Sequence, residues 1–143
     1  MREVAITTPP LFSVLISPRW GDQDSMGHIN HVQYFRYLEE ARVQWMLDTG
    51  FGVGSGNELS GMLVAAIGLN FRKEWHHNKR LCAKAWVTHI GNSSFRLLQR
   101  LYSEDGSEVV AEGEISLVCI DGEHRPTPIA DKERSRLQAC ALD

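Results

Sequence analysis

The sequence predicts an α+β fold in which an antiparallel sheet curls around one long central helix. Three observations point to it. From His31 to about Thr49 the chain runs without Gly or Pro and repeats its apolar residues at helical spacing. Four strand-like segments then follow in succession, separated by turn-forming clusters. One short strand-like segment precedes the helix. Strands grouped together after a single helix make α+β, because alternating βαβ units would need a helix between each pair.

The first element is expected over Leu11 to Arg19 (LFSVLISPR), which ends at Pro18, a residue suited to leaving a sheet. WGDQDSMGHIN then reads as a loop. In the helix, Val32, Phe35, Leu38, Val43 and Met46 form one apolar stripe, and Tyr34, Tyr37, Ala41 and Trp45 a second, so burial on more than one side is expected. Asn30 is suited to the N-cap and Gly50 to the stop. Gly50 to Gly61 holds five glycines and reads as a loop. Met62 to Glu74, Leu81 to Ile90, Phe95 to Ser103 and Val109 to Ile120 read as four strands of a meander, and DKERSRLQACA as a short closing helix. Residues 1–143 are read as one domain, of ordinary size for a single core. A curled sheet of this kind leaves edge strands, and pairing between subunits in a homodimer or dimer of dimers is the expected cover.

Composition narrows the function. A net charge of -3 disfavours a general nucleic-acid binder. An anionic ligand stays possible through local basic groups at Arg72-Lys73, Lys79-Arg80 and Arg125. The three cysteines are far apart and form no metal-type pattern, which fits a reducing, cytoplasmic setting, and no stretch has the apolar length of a membrane span. GFGVGSG contains no phosphate-loop spacing, VGSGN is no nucleophile elbow, and DQDSMG places Met26 where a calcium loop needs an oxygen. His28 and His31 with Asp24 form at most a poor metal set, and no metal or other cofactor is expected. His76-His77 reads as a solvated turn.

What remains is Asp24 shortly before a helix N-terminus. The first N–H groups of a helix lack intrahelical acceptors and attract negative charge. A carboxylate beside them supplies the two parts acyl transfer requires, a nucleophile or base and an oxyanion site. An aspartate here can equally be a turn or helix cap, and spacing alone serves both readings. Asp22 lies farther from the helix start, and its replacement is expected to matter less.

The stretch RWGDQDSMGHINHVQYFRYLEEAR resembles the signature of the 4-hydroxybenzoyl-CoA thioesterase family of hotdog enzymes: D-x-D, G-H-x-N, an aromatic residue and E-x-R on the helix. Asp22, Asp24, Gly27, His28, Asn30, Tyr34, Tyr37, Glu40, Ala41 and Arg42 carry the match. Ser93 to Phe95 and the D-G-x-x-R-P run at Asp121 to Pro126 extend it more weakly. The resemblance implies a hotdog fold, hydrolysis of an acyl-CoA thioester, and Asp24 as catalytic carboxylate. It further implies the backbone N–H of His31 as the group that polarises the thioester carbonyl, Ser94 and Arg125 as CoA contacts, and His28 and Asn30 as substrate contacts. G-H-I-N replaces the G-I-V-W of the aromatic-CoA enzymes, which leaves the acyl group open. Glu40 and Arg42 are expected in ion pairs or against the sheet, and Tyr34 and Tyr37 in the core with a polar tip. The rival readings are a CoA-dependent hotdog dehydratase or hydratase, and a binding module for acyl-CoA or acyl carrier in which Asp24 only caps.

Overall fold

The computed structural model describes residues 6–52 and 61–142; the glycine-rich segment expected as a loop lies mostly outside them. The chain forms β1 (Phe12–Ile16), a 3-10 turn (Trp20–Asp22), α1 (His31–Thr49), β2 (Met62–Ile67), β3 (Asn70–Phe71), β4 (Leu81–Ile90), β5 (Ser94–Ser103), β6 (Val109–Cys119) and α2 (Asp131–Ala139).

Helix α1 starts and stops where its local signals place it. The Asn30 side chain accepts from the N–H of Val32 at 3.0 Å, and Gly50 adopts φ +75° with its N–H on the Met46 carbonyl. That left-handed stop suits glycine, which has no Cβ to clash. Of the two apolar stripes, Tyr34, Tyr37, Ala41 and Trp45 are buried together with Leu38 and Arg42, whereas Val32 is exposed.

The sheet order is β1-β4-β5-β6-β2, antiparallel throughout, with β3 also on β6. The expected four-strand meander is therefore correct only for β4-β5-β6. The strand after α1 crosses to the far side and pairs with β6, leaving β1 to pair with β4. The strand expected over Met62 to Glu74 is also divided, by an irregular register at Val64/Ala66 and a break at Gly68. At that break the Gly68 carbonyl approaches β6 so closely that a Cβ on Gly113 would lie 2.0 Å from it. Only glycine fits there.

The inner face of the sheet presents Leu81, Ala83, Ala85 and Val87 from β4, Phe95, Leu97 and Leu101 from β5, and Ala111, Ile115 and Leu117 from β6, all buried. α1 packs against β1, β4 and β5 on this face. Arg42 and Gln99, both buried, meet within it. The two edges of the sheet are β1 and β2. β2 is the more exposed of the two: Leu63, Val64 and Ile67 are 49%, 49% and 39% accessible, an unusual load of apolar surface for an edge strand. Among the described residues no helix is long and apolar enough to cross a membrane.

Candidate active site

The loop ahead of α1 is built from its own polar groups. Asp22 closes the 3-10 turn: its N–H bonds the Arg19 carbonyl, and its carboxylate accepts from the N–H of Arg19 at 3.0 Å and from the hydroxyl of Tyr37 at 2.6 Å. The Asp22 carbonyl accepts from the N–H of Asn30. Between these fixed points Gln23 bridges Ile29, Asp24 N–H bonds the His28 carbonyl, and Gly27 N–H returns to the Asp24 carbonyl with φ +81°. Asp24 Oδ1 accepts from the N–H of Met26 at 2.9 Å, a local turn that leaves the carboxylate exposed. Ile29 N–H bonds the Trp75 carbonyl and ties the loop to the segment after β3.

This arrangement delivers Asp24 and the start of α1 to one cavity of about 310 Å³, lined also by His28, Tyr34, Phe71 and Glu74. At the helix start, Val32 N–H goes to the Asn30 side chain and Gln33 N–H to the Asn30 carbonyl. The N–H of His31 has no acceptor among the described residues, so one unsatisfied donor of the helix faces this end. His28 Nε2 lies 3.1 Å from Glu74 Oε2, and its ring meets His76 edge-on at 5.4 Å. The His76 ring, exposed at the turn expected there, also reaches the Gly27 carbonyl at 3.1 Å. No cluster of three or more His, Cys, Asp or Glu among the described residues is arranged to hold a metal ion.

Of the two buried tyrosines at the start of α1, Tyr34 lines the cavity and Tyr37 holds Asp22. Tyr34 donates to the Lys73 carbonyl at 3.2 Å, and burial, with the Glu74 charge, pushes its phenol up to about 12. Burial and then the Asp22 carboxylate push Tyr37 upward as well. Burial alone would raise Asp22, but the Tyr37 hydroxyl, the Arg19 N–H and the nearby arginine charges outweigh it and hold the carboxyl below its usual range. Both phenols are thus donors and Asp22 an ionised acceptor at neutral pH.

The structure brings Asp24, His28 and His31 together, as the sequence expects. Asn30 is engaged as the cap and does not line the cavity. Ser94 and Arg125 lie elsewhere. Ser94 pairs with Val118 at the opposite end of β5 from Leu101, whose partner Ala111 also pairs Phe71 at the cavity; seven residues of strand is roughly 23 Å. Arg125 sits beyond β6, exposed, beside Glu123. The other basic clusters are largely neutralised, Arg72 on Glu112, Lys73 on Glu108 and Arg80 on Glu104. Sequence reasoning missed the depth of Asp22 and the partnership of Glu74 with His28. In each case the two residues are distant in sequence, so no local spacing signals the contact.

Residues 18–137 match the profile of the thioesterase-like superfamily, an interval that spans the Asp24 loop, α1 and the sheet. The chain belongs to this superfamily. Its fold agrees: the Pseudomonas aeruginosa PA2801 protein, provisionally named a thioesterase, superposes with a TM-score of 0.80 at 32% identity over 89% of this chain and 98% of that one. A provisionally named acyl-CoA thioesterase from Xanthomonas campestris, XC229, is 32% identical over 85% of this chain and all of its own, with a TM-score of 0.72. The Bacillus subtilis protein YneP, also provisionally named an acyl-CoA thioesterase, is 26% identical over 110 residues, 76% of this chain and 78% of YneP. A Thermus thermophilus thioesterase solved with coenzyme A and Zn shares the fold, with a TM-score of 0.78 at 23% identity over 91% of this chain and 99% of that one. The superfamily member described here therefore has the hotdog architecture of these thioesterases.

Proposed function

We propose that the chain hydrolyses acyl-CoA thioesters to the free acid and CoA, with Asp24 as the reacting carboxylate. The observation that carries this reading is the meeting, in one cavity, of the exposed Asp24 carboxylate and His31 at the start of α1, whose N–H has no acceptor among the described residues. A thioester carbonyl with its oxygen toward His31 N–H and the positive end of the α1 dipole gains stabilisation as negative charge grows on that oxygen. Asp24 either attacks the carbonyl carbon, expelling CoA as the thiolate and leaving a mixed anhydride that water hydrolyses to the free acid, or takes a proton from a water that attacks the carbonyl carbon and expels the thiolate directly. Acyl-CoA thioesterase names among the relatives support CoA as the carrier.

The exposed β2 edge supports a homodimer with composite sites. β2 runs from Met62, opposite Cys119 and near the Ser94 end of the sheet, to Ile67, toward the β3 and Asp24 end. Antiparallel pairing of two β2 edges about a two-fold axis exchanges these ends. It carries the partner's Arg125 and the partner's Ser94 toward Asp24, where a CoA phosphate or pantetheine would need them.

The experiment is thiol release across short, long, branched and aromatic acyl-CoA and acyl-carrier thioesters, with enoyl-CoA hydration run alongside. Thiol release on at least one class supports the reading. Hydration without thiol release, or binding without turnover, overturns it.

A further inference from the structure

Asp22 is an unexpected residue to find buried. It is 6% accessible; the N-cap of α1 is supplied by Asn30, and the capping contact of Asp22 is with the Arg19 N–H of the 3-10 turn, so its tie to α1 is a separate one. A carboxylate is tolerated at such a position only when its oxygens are hydrogen-bonded. Here one oxygen collects both the Arg19 N–H and the Tyr37 hydroxyl, the latter from two turns inside α1. Its backbone does as much: the Asp22 carbonyl receives the N–H of Asn30, the residue immediately before the helix. Asp22 is therefore bonded to α1 both at the helix entry and along its buried face.

Asp24 stands two residues later and has no such anchor. Among the described residues its carboxylate is held only by the N–H of Met26 within the same turn, and the loop around it contains Gly27 at positive φ. Moving Asp22 away from Tyr37 would move Asp24 away from the His31 N–H, because the loop from Gln23 to Ile29 is closed on itself and shifts as a unit. We infer that Asp22 and Tyr37 form a positioning pair that sets the distance between Asp24 and the N-terminus of α1. Neither touches the reacting atoms. The inference rests on the reading of Asp24 as the reacting carboxylate, but the holding of the loop is measurable apart from it.

Tyr37→Phe is the main probe, since it removes one hydroxyl and keeps the ring in the core. Misplacement of a catalytic group by about 1 Å costs up to ~10²-fold, so kcat on the best thioester is expected to fall ~10- to 100-fold with KM within about twofold of wild type. In an Asp24→Asn background the same substitution should change the residual rate less than about twofold, because the group being positioned is gone. Asp22→Asn, which keeps an acceptor oxygen, should retain more activity than Asp22→Ala. Independently, hydrogen exchange in Tyr37→Phe should quicken at the amides of Asp24, Gly27 and Asn30 while those of β4 and β5 stay protected. Unchanged loop exchange overturns the inference, and so does a Tyr37→Phe loss of equal factor in both backgrounds. If the loop loosens but Asp24→Asn is itself silent, the positioning stands and the catalytic reading of Asp24 fails.

Discussion

Arg42 on α1 donates a 3.0 Å hydrogen bond from Nη1 to the side-chain oxygen of Gln99 on β5, and this contact between a guanidinium and an amide lies inside the apolar layer between helix and sheet. Burial lowers the Arg42 pKa, with the Glu39 charge opposing, and Gln99 Nε2 finds no acceptor among the described residues. The pair is thus only partly satisfied. Gln99→Leu, which takes away the acceptor, is expected to destabilise by ~1–3 kcal/mol. Arg42→Met with Gln99→Leu should recover most of that loss, since apolar replacement of both buried partners is often neutral or better. Urea unfolding of the two variants checks it, and a double variant no more stable than the single one contradicts it.

A second expectation concerns acid. Asp105, in the β5–β6 turn, accepts from the N–H and hydroxyl of Ser107 and from the hydroxyl of Ser103, and these bonds lower its pKa to about 2. Its folded pKa lies below the unfolded value of about 3.9, so the contribution is fully present above that pH and is lost as pH falls through about 2. Asp22 is shifted in the same direction. Unfolding midpoints should therefore fall on acidification below about pH 4, less steeply in Asp105→Ala than in wild type. Parallel pH profiles for the two proteins would rule out a role for this turn.

The unequal legibility of these features in the sequence has a physical basis. α1 was readable to the residue because its start and stop are local chemistry, an Asn30 side chain on Val32 N–H and a left-handed Gly50. β4 was readable because its bounding turns are sequence signals. Strand order was not, because a period of two tells which face a residue takes and nothing about its neighbour. The crossing of β2 to β6 depends on fitting the Gly68 carbonyl against Gly113, a contact between residues 45 apart. The place of Asp24 in the loop just ahead of α1 was legible from the motif. The burial of Asp22 was not legible, because the contact that goes with it, from Tyr37, comes from the helix face and not from its neighbours along the chain.

The β2 edge should be covered in solution. Val64 and Ile67 are exposed on a strand whose outer side has no partner among the described residues of the chain. Light scattering at micromolar concentration is expected to give a dimer or tetramer, and Val64→Lys to shift it toward monomer by placing a charge in the interface. A wild-type monomer at that concentration would end the composite-site reading.

Arg125 should act on binding and not on chemistry. A guanidinium on a CoA phosphate makes charge-assisted hydrogen bonds of ~1.5–3 kcal/mol, so Arg125→Ala is expected to raise KM by roughly ten- to a hundredfold with kcat little changed. Because Arg125 lies at the far end of its own sheet from Asp24, the effect should depend on the dimer. Mixing inactive Asp24→Asn with Arg125→Ala subunits tests this directly. Each hybrid dimer then holds one site carrying both defects and one site carrying neither, so near-normal KM should return in a fraction of the sites. Hybrids that keep the raised KM would place Arg125 in its own subunit's site or in none.

Asp24 carries the central prediction. If its carboxylate attacks the thioester or activates water, Asp24→Asn keeps the shape and the bond from Met26 N–H but removes the base, and kcat should fall by ~10²–10⁴-fold with folding intact. If Asp24 serves only its turn, asparagine is nearly as good a turn residue, and the substitution should be almost silent in both rate and stability. The structure makes these outcomes separable, because the cap of α1 is already filled by Asn30 and the deep hydrogen bonds of the loop belong to Asp22. Loss of Asp24 therefore has little structural work to disturb, and a fall in rate at unchanged unfolding midpoint can be assigned to chemistry. Retention of more than about a tenth of wild-type kcat, far short of the ~10²-fold loss expected for a general base, would remove Asp24 from the mechanism.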